Sequence, residues 1–205
     1  MVVTPPHGTT TDTLRWLDDA SKRGSDGIIL VVTDLTPAQR IGVKSLDIPM
    51  ALVDPVGSPD AGVPTVGATN WQGGMAATRH LPDLGHRRIG ILQGLEKALC
   101  ARARLDGYRA ALEGALGAYE AIRQAGLRVA TDVSIVGFDD VPNAAWASPP
   151  LTTVRQPVRE MAALATRIVL QGADTVLPGP TLRMELATHL VVRESTGPAR
   201  GMSTT

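Results

Sequence analysis

Short runs of apolar residues alternate along this chain with stretches of helical spacing, and the alternation predicts an α/β fold. Residues 27–32 read Gly-Ile-Ile-Leu-Val-Val, continuous and β-branched, then Thr33-Asp34, which is the pattern of a strand buried on both faces. A helix precedes it, marked by Leu14, Leu17, Ala20 and Ser21, with Gly24 ending the run. Thr36 caps a second helix that begins at Pro37. The next strand is 48–53, followed by Asp54-Pro55. A loop rich in Gly and Pro over 55–64 leads through Thr65-Val66-Gly67 to a helix over 71–84, closed by Gly85-His86. Beyond it the pattern predicts a strand at 88–93, helix over 102–125, a strand at 134–137, a helix over 157–171 opened by Pro157, and a last strand at 186–192. Strands alternating with helices imply a mostly parallel sheet with right-handed crossovers. The tail from Thr196 carries no periodicity and is expected to be disordered.

Composition narrows the function classes. Hydrophobic residues make up 43% of the 205 and aromatics only 3%, so the core must be aliphatic and alanine-rich. Twenty basic residues balance 20 acidic ones, and no basic stripe marks a nucleic-acid surface, so the chain is not expected to grip DNA by itself. Cys100 is the sole cysteine, which excludes an internal disulfide and any Cys-x-x-Cys zinc or redox site. His7, His80, His86 and His189 lack metal-ligand spacing. No metal or cofactor is therefore expected. The start has no basic segment followed by an apolar run, and no stretch approaches the ~18 apolar residues of a membrane span. A cytoplasmic protein without membrane contact is the expectation.

Open α/β sheets bind ligands at the carboxyl ends of their strands. Polar residues just after predicted strands are thus the candidates: Thr33-Asp34, Asp54, Asn70, Gln93 and, above all, Asp139-Asp140. A carboxylate there can accept hydrogen bonds from vicinal hydroxyls, and it can equally cap a turn. No G-x-S-x-G elbow, P-loop or G-x-G-x-x-G occurs, and no second acidic cluster joins Asp139-Asp140 to hold Mg²⁺ for phosphoryl transfer. The chain is not expected to be an enzyme.

Five segments, in order, resemble the effector-binding core of the lactose/galactose-repressor (LacI) type of transcriptional regulators. They are Ser25-Asp26-Gly27-Ile28-Ile29-Leu30; Asn70-Trp71-Gln72-Gly73-Gly74 with His80-Leu81 and Leu84-Gly85-His86-Arg87-Arg88-Ile89; and Arg102-Ala103-Arg104-Leu105-Asp106-Gly107-Tyr108. Ser134-Ile135-Val136-Gly137-Phe138-Asp139-Asp140 and Pro149-Pro150-Leu151-Thr152-Thr153-Val154-Arg155-Gln156-Pro157 complete the set. The resemblance spans nearly the whole chain. It implies a periplasmic-binding-protein-like type I fold, with two parallel-sheet lobes joined by three crossings and a small effector, a sugar, between them. On that pattern residues 1–88 with 156–175 form the first lobe and 89–155 with 176–195 the second, with 196–205 as tail.

The chain also departs from the family pattern. It begins at what resembles the second strand of the first lobe, Met1–Thr4, so the helix-turn-helix head that reads DNA is expected to be absent. Near 113–117 it passes from Glu113 straight to Gly114-Ala115-Leu116-Gly117, and a βαβ unit of about 30 or more residues is missing. Lost strands leave apolar surface uncovered at ~25 cal/mol per Å². An incomplete, marginal or rearranged second lobe is therefore expected.

The resemblance further implies effector contacts from Asp139, Arg102, Asn70, Gln156 and Trp146. Arg102 would offer a guanidinium fork to hydroxyls, and Arg104 is set aside. Asn70 also suits a helix cap, Gln156 a hinge amide, and Trp146 either sugar stacking or packing. Asp140 reads as structural. The partners implied are a sugar effector, a second copy in a homodimer, and DNA only through the head. A solute-binding receptor of a sugar transporter on the same fold is the alternative.

Overall fold

A computed structural model of the 205-residue chain describes residues 15, 19–20, 22–31, 41, 48–55, 63–87, 89–90, 98–108, 126–171 and 182–199. In chain order the elements are β1 (Ile28–Val31), β2 (Met50–Val53), β3 (Thr65–Ala68), α1 (Asn70–Asp83), α2 (Leu99–Tyr108), β4 (Val136–Asp139), α3 (Pro142–Trp146), β5 (Thr152–Arg155), α4 (Val158–Gln171), β6 (Arg183–Leu186) and β7 (His189–Val191). The periodicity thus located β1, β2, α1 and α4 to within about two residues. It placed the fourth strand two residues early and ran the last strand over what are two strands, β6 and β7. Strands β3 and β5 were missed: Thr65–Ala68 follows a Gly/Pro-rich loop and is interrupted by Gly67, and Thr152–Arg155 carries two threonines and an arginine. The expected strand at 88–93, the start at Met1–Thr4 and the junction near 113–117 lie largely or wholly outside the described residues. Of the helix expected over 102–125, the described part ends at Tyr108.

The chain divides into two compact units, Met1–Gly67 with Arg159–Glu185, and Ala68–Val158 with Leu186–Thr205. It passes between them three times, after Gly67, Val158 and Glu185. Helix α1 falls within the second of these units.

In the first unit β1, β2 and β3 pair in parallel, with Ile28 opposite Met50 and Leu52 opposite Thr65, and β6 flanks β3. Ala20, Ile28, Leu30 and Leu52 form its core, with Ile48, Met50 and Val63 against them. Helix α4 buries Met161, Ala165 and Val169, the i, i+4, i+8 stripe of an amphipathic helix. Gly27, just before β1, meets that stripe, since a Cβ there would lie 1.8 Å from Val169 Cγ1 and 3.2 Å from the Pro49 carbonyl.

In the second unit β4 and β5 are parallel and β7 runs antiparallel to β5. Helix α1 lies on this sheet through Gly73, Gly74, Ala77 and Leu81. Small residues are required there: a Cβ on Gly73 would sit 2.9 Å from both Phe138 Cζ and Val154 Cγ1. Ala77, Leu81, Val136 and Val154 make the core beneath, and Ile135, Ala144 and Leu151 a smaller one beside α3. Gly85, at φ 85°, ends α1 in a Schellman turn, with Gly85 N donating to Pro82 O and His86 N to Leu81 O.

The expectation of a disordered tail from Thr196 is corrected for 196–199. Ser195 is buried, its Oγ donating to Ile135 O and accepting from Thr152 N. His80 Nε2 bonds Thr196 Oγ1 at 2.9 Å, His86 Nε2 donates to Gly197 O, and Ala199 N donates to Leu84 O. The strap is ordered by hydroxyls and backbone groups, which hydrophobic periodicity does not register. Residues 200–205 lie outside the described residues.

Two predictions follow from this packing. Gly27→Ala should destabilise the chain by about 1–3 kcal/mol through overpacking, and adding Val169→Ala should recover part of that loss in thermal unfolding; additive losses would contradict the contact. Burial holds the His80 imidazole below its ordinary pKa, with His86 lowering it further and Asp83 opposing. The unfolded chain then binds the extra proton first, so this contribution is present above pH 6.5 and lost as pH falls through the lower folded value. His80→Gln should flatten the fall of the melting temperature between about pH 7.5 and about pH 5.5. An unchanged slope would dismiss His80 as its source.

Candidate functional site

β4 carries two buried residues, Val136 and Gly137, then half-buried Phe138, and delivers two carboxylates at its end. There the backbone turns left-handed twice, at Asp139 (φ 81°) and Asp140 (φ 48°). Each such residue without glycine's freedom costs about 1–3 kcal/mol and persists only where its surroundings over-determine it. Asp is among the residues that tolerate this region best.

The double turn sends the two side chains to different partners. Asp139, 45% exposed, pairs through Oδ1 with Arg104 Nη2 at 3.0 Å and accepts from Gln156 Nε2. Asp140, 5% exposed, is held by Arg155 Nε at 2.5 Å and by Arg193 Nη2 at 2.7 Å. The parallel register of β4 and β5 sets Asp139 opposite Arg155, which brings Arg155 and Gln156 to the same strand ends.

Arg104 joins the cluster from α2. Its Nε donates to Asn70 Oδ1 at 2.8 Å, its guanidinium lies 4.1 Å from the Phe138 ring centroid, and its side chain is only 12% exposed. Asn70, buried at the start of α1, donates from Nδ2 to Ala68 O. Helix α2 comes close enough because residue 107 is glycine: a Cβ there would lie 2.3 Å from Trp71 O. Gly107 weakens an isolated helix, and its reason is this approach. Every member of the cluster lies in the second unit. Among the described residues no group of three or more His, Cys, Asp or Glu is placed to hold a metal ion.

The structure brings together Asn70, Asp139 and Gln156 of the residues singled out from sequence. It does not bring in Arg102. Residues two apart on a helix point about 200° apart, so only one of the two arginines can face β4. That one is Arg104, and Arg102 is exposed. The signal was available: Ala101, Arg104 and Gly107 share one face at spacings of three, and small residues mark the packed side. Phe138, the ring under the guanidinium, was also overlooked. Trp146 stands 82% exposed at the end of α3.

The family model for periplasmic binding proteins and the sugar-binding domain of the LacI family matches residues 2–116, and that for the periplasmic-binding-protein-like domain matches 113–196. An HTH-type transcriptional regulator, reg1, of Streptomyces lividans is 31% identical over 250 residues, covering 96% of this chain and 71% of its own. The ribose operon repressor of Haemophilus influenzae is 36% identical over 60% of this chain and 50% of its own. Among solved structures, a transcriptional regulator CelR–cellobiose complex superposes at a TM-score of 0.81 with 26% identity, covering 91% of this chain and 71% of that one. A LacI-family regulator from Enterococcus faecium with bound ribose gives 0.80 at 19% identity, covering 92% and 85%. The two family models meet at 113–116, and an alignment 250 residues long over a 205-residue chain leaves dozens of the relative's residues without a counterpart here. The chain belongs to the family of periplasmic binding proteins and LacI sugar-binding domains, as an effector-binding domain of the LacI-type transcriptional regulators.

Proposed function

We propose that the cluster of Asn70, Arg104, Asp139 and Gln156 binds a small polyhydroxylated effector, a sugar, and that this is the chain's regulatory input. The observation that carries the reading is the half-exposed carboxylate of Asp139 set against the nearly buried guanidinium of Arg104. A carboxylate accepts hydrogen bonds and a guanidinium fork donates them, which suits adjacent hydroxyls on one ring face. Gln156 Oε1 is buried and has no hydrogen-bond partner among the described residues, so it supplies a further acceptor. Bound cellobiose and ribose in the two related structures support the substrate class.

On this reading effector binding shifts the balance between two conformations, and DNA contact belongs to a head domain outside these 205 residues. The zero net charge agrees with that division. The relatives named are regulators, which supports a sensor in the cytoplasm with no catalytic step over a transport receptor. No helix among the described residues is long and apolar enough to cross a membrane. Trp146, 82% exposed at the end of α3, offers an apolar surface for a second copy of the chain.

Thermal unfolding against pentoses, hexoses and disaccharides, ribose and cellobiose included, tests the binding. One sugar should raise the midpoint, by about 2.7 kcal/mol of added stability at 100 times its Kd. The rise should vanish in Asp139→Ala and Arg104→Ala and survive in Arg102→Ala. A midpoint indifferent to every sugar, or a rise that survives Arg104→Ala, would contradict the proposal. Sedimentation should show a dimer that Trp146→Glu dissociates; a monomeric parent chain would remove the homodimer.

A further inference from the structure

Asp140 has partners different from those of Asp139, yet it holds the part of the chain on which Asp139 depends. Its carboxylate is 5% exposed and engaged on both oxygens, by Arg155 from the end of β5 and by Arg193 from beyond β7. Arg193 is itself fastened at several points: Nη1 donates to Leu151 O at 2.6 Å, and its backbone N donates to the fully buried Thr152 Oγ1 at 2.9 Å. The Asp140 backbone N reaches Thr153 Oγ1 at 3.4 Å. The turn after β4 is therefore tied to the start of β5, to its end, and to the segment that follows β7. These ties converge on the two consecutive left-handed residues, Asp139 and Asp140.

We propose that Asp140 is a positioning residue for effector binding, its buried carboxylate clamped between Arg155 and Arg193 so that the left-handed turn aims Asp139 at Arg104 and Gln156. The proposal rests on the reading of that cluster as the effector site. Its physical basis is preorganisation: a ligating group works when its own supports fix it before the ligand arrives. Without the clamp the double left-handed turn relaxes toward ordinary backbone, and the Asp139 carboxylate leaves the guanidinium. A plain structural ion pair would behave differently, lowering the stability of the second unit while the surviving fold kept Arg104 paired.

Nitrogen-detected NMR of the full chain separates the two. Arg104 is held at Nε by Asn70 and at Nη2 by Asp139, so rotation about its Nε–Cζ bond should be hindered and its two Nη signals distinct. Asp139→Asn sets the reference for a guanidinium without its carboxylate contact, in which the two signals should merge. Asp140→Asn should merge them as well, with the backbone amides of β1, β2 and α4 unchanged. Arg155→Gln, at a half-exposed position the fold tolerates more easily, should have the same effect and decides the matter should Asp140→Asn fail to fold. Distinct Nη signals in either folded variant would overturn the proposal. Affinity for whichever sugar gives the largest thermal rise should also fall tenfold or more in Asp140→Asn. A parent chain that binds no sugar would overturn the effector reading alone, because the Arg104 signals report on the clamp without any ligand.

Discussion

Two neighbouring carboxylates leave β4 in different directions, and the left-handed backbone at Asp139 and Asp140 is the constraint from which the site follows. One carboxylate is spent inward, on Arg155 and Arg193. The other stays half exposed and meets Arg104, Asn70's partner, over the face of Phe138. An extended chain at these positions would alternate its side chains across the sheet, with no turn to bring Asp139 back toward α2. The strain is tolerable because both residues are aspartates and because the parallel register with β5 delivers their partners.

Glycine packing extends the same logic to the helices. Gly73 lets α1 settle on Phe138 and Val154, and Gly107 lets α2 settle on the backbone of Trp71. A side chain at either position would push a helix away and withdraw Asn70 or Arg104 from the carboxylate. The cluster around Asp139 is thus a product of backbone proximity as much as of its polar residues.

Much of this was legible in the sequence. A continuous β-branched run located β1, an apolar run before Asp54-Pro55 located β2, Gly85-His86 marked the end of α1, and Asp139 stood out as polar after an apolar strand. What escaped had specific causes. Arg102 and Arg104 differ in facing, not in kind, and the motif match favoured Arg102, whereas the structure turns Arg104 toward Asp139. Strands β3 and β5 take their order from neighbours, since Thr65, Thr152 and Thr153 are polar residues buried by pairing. The Ser195–Ala199 strap is fixed by hydroxyls, imidazoles and backbone groups, which have no period to read.

The most direct measurement of the central claim is a crystal structure of the chain grown with the sugar that most raises its thermal midpoint. Sugar hydroxyls should lie within hydrogen-bond distance of both the Asp139 carboxylate and the Arg104 guanidinium, with Arg102 in solvent and Asp140 still held by Arg155 and Arg193. A sugar bound elsewhere, or held by Arg102 with Asp139 and Arg104 paired only to each other, would contradict the claim.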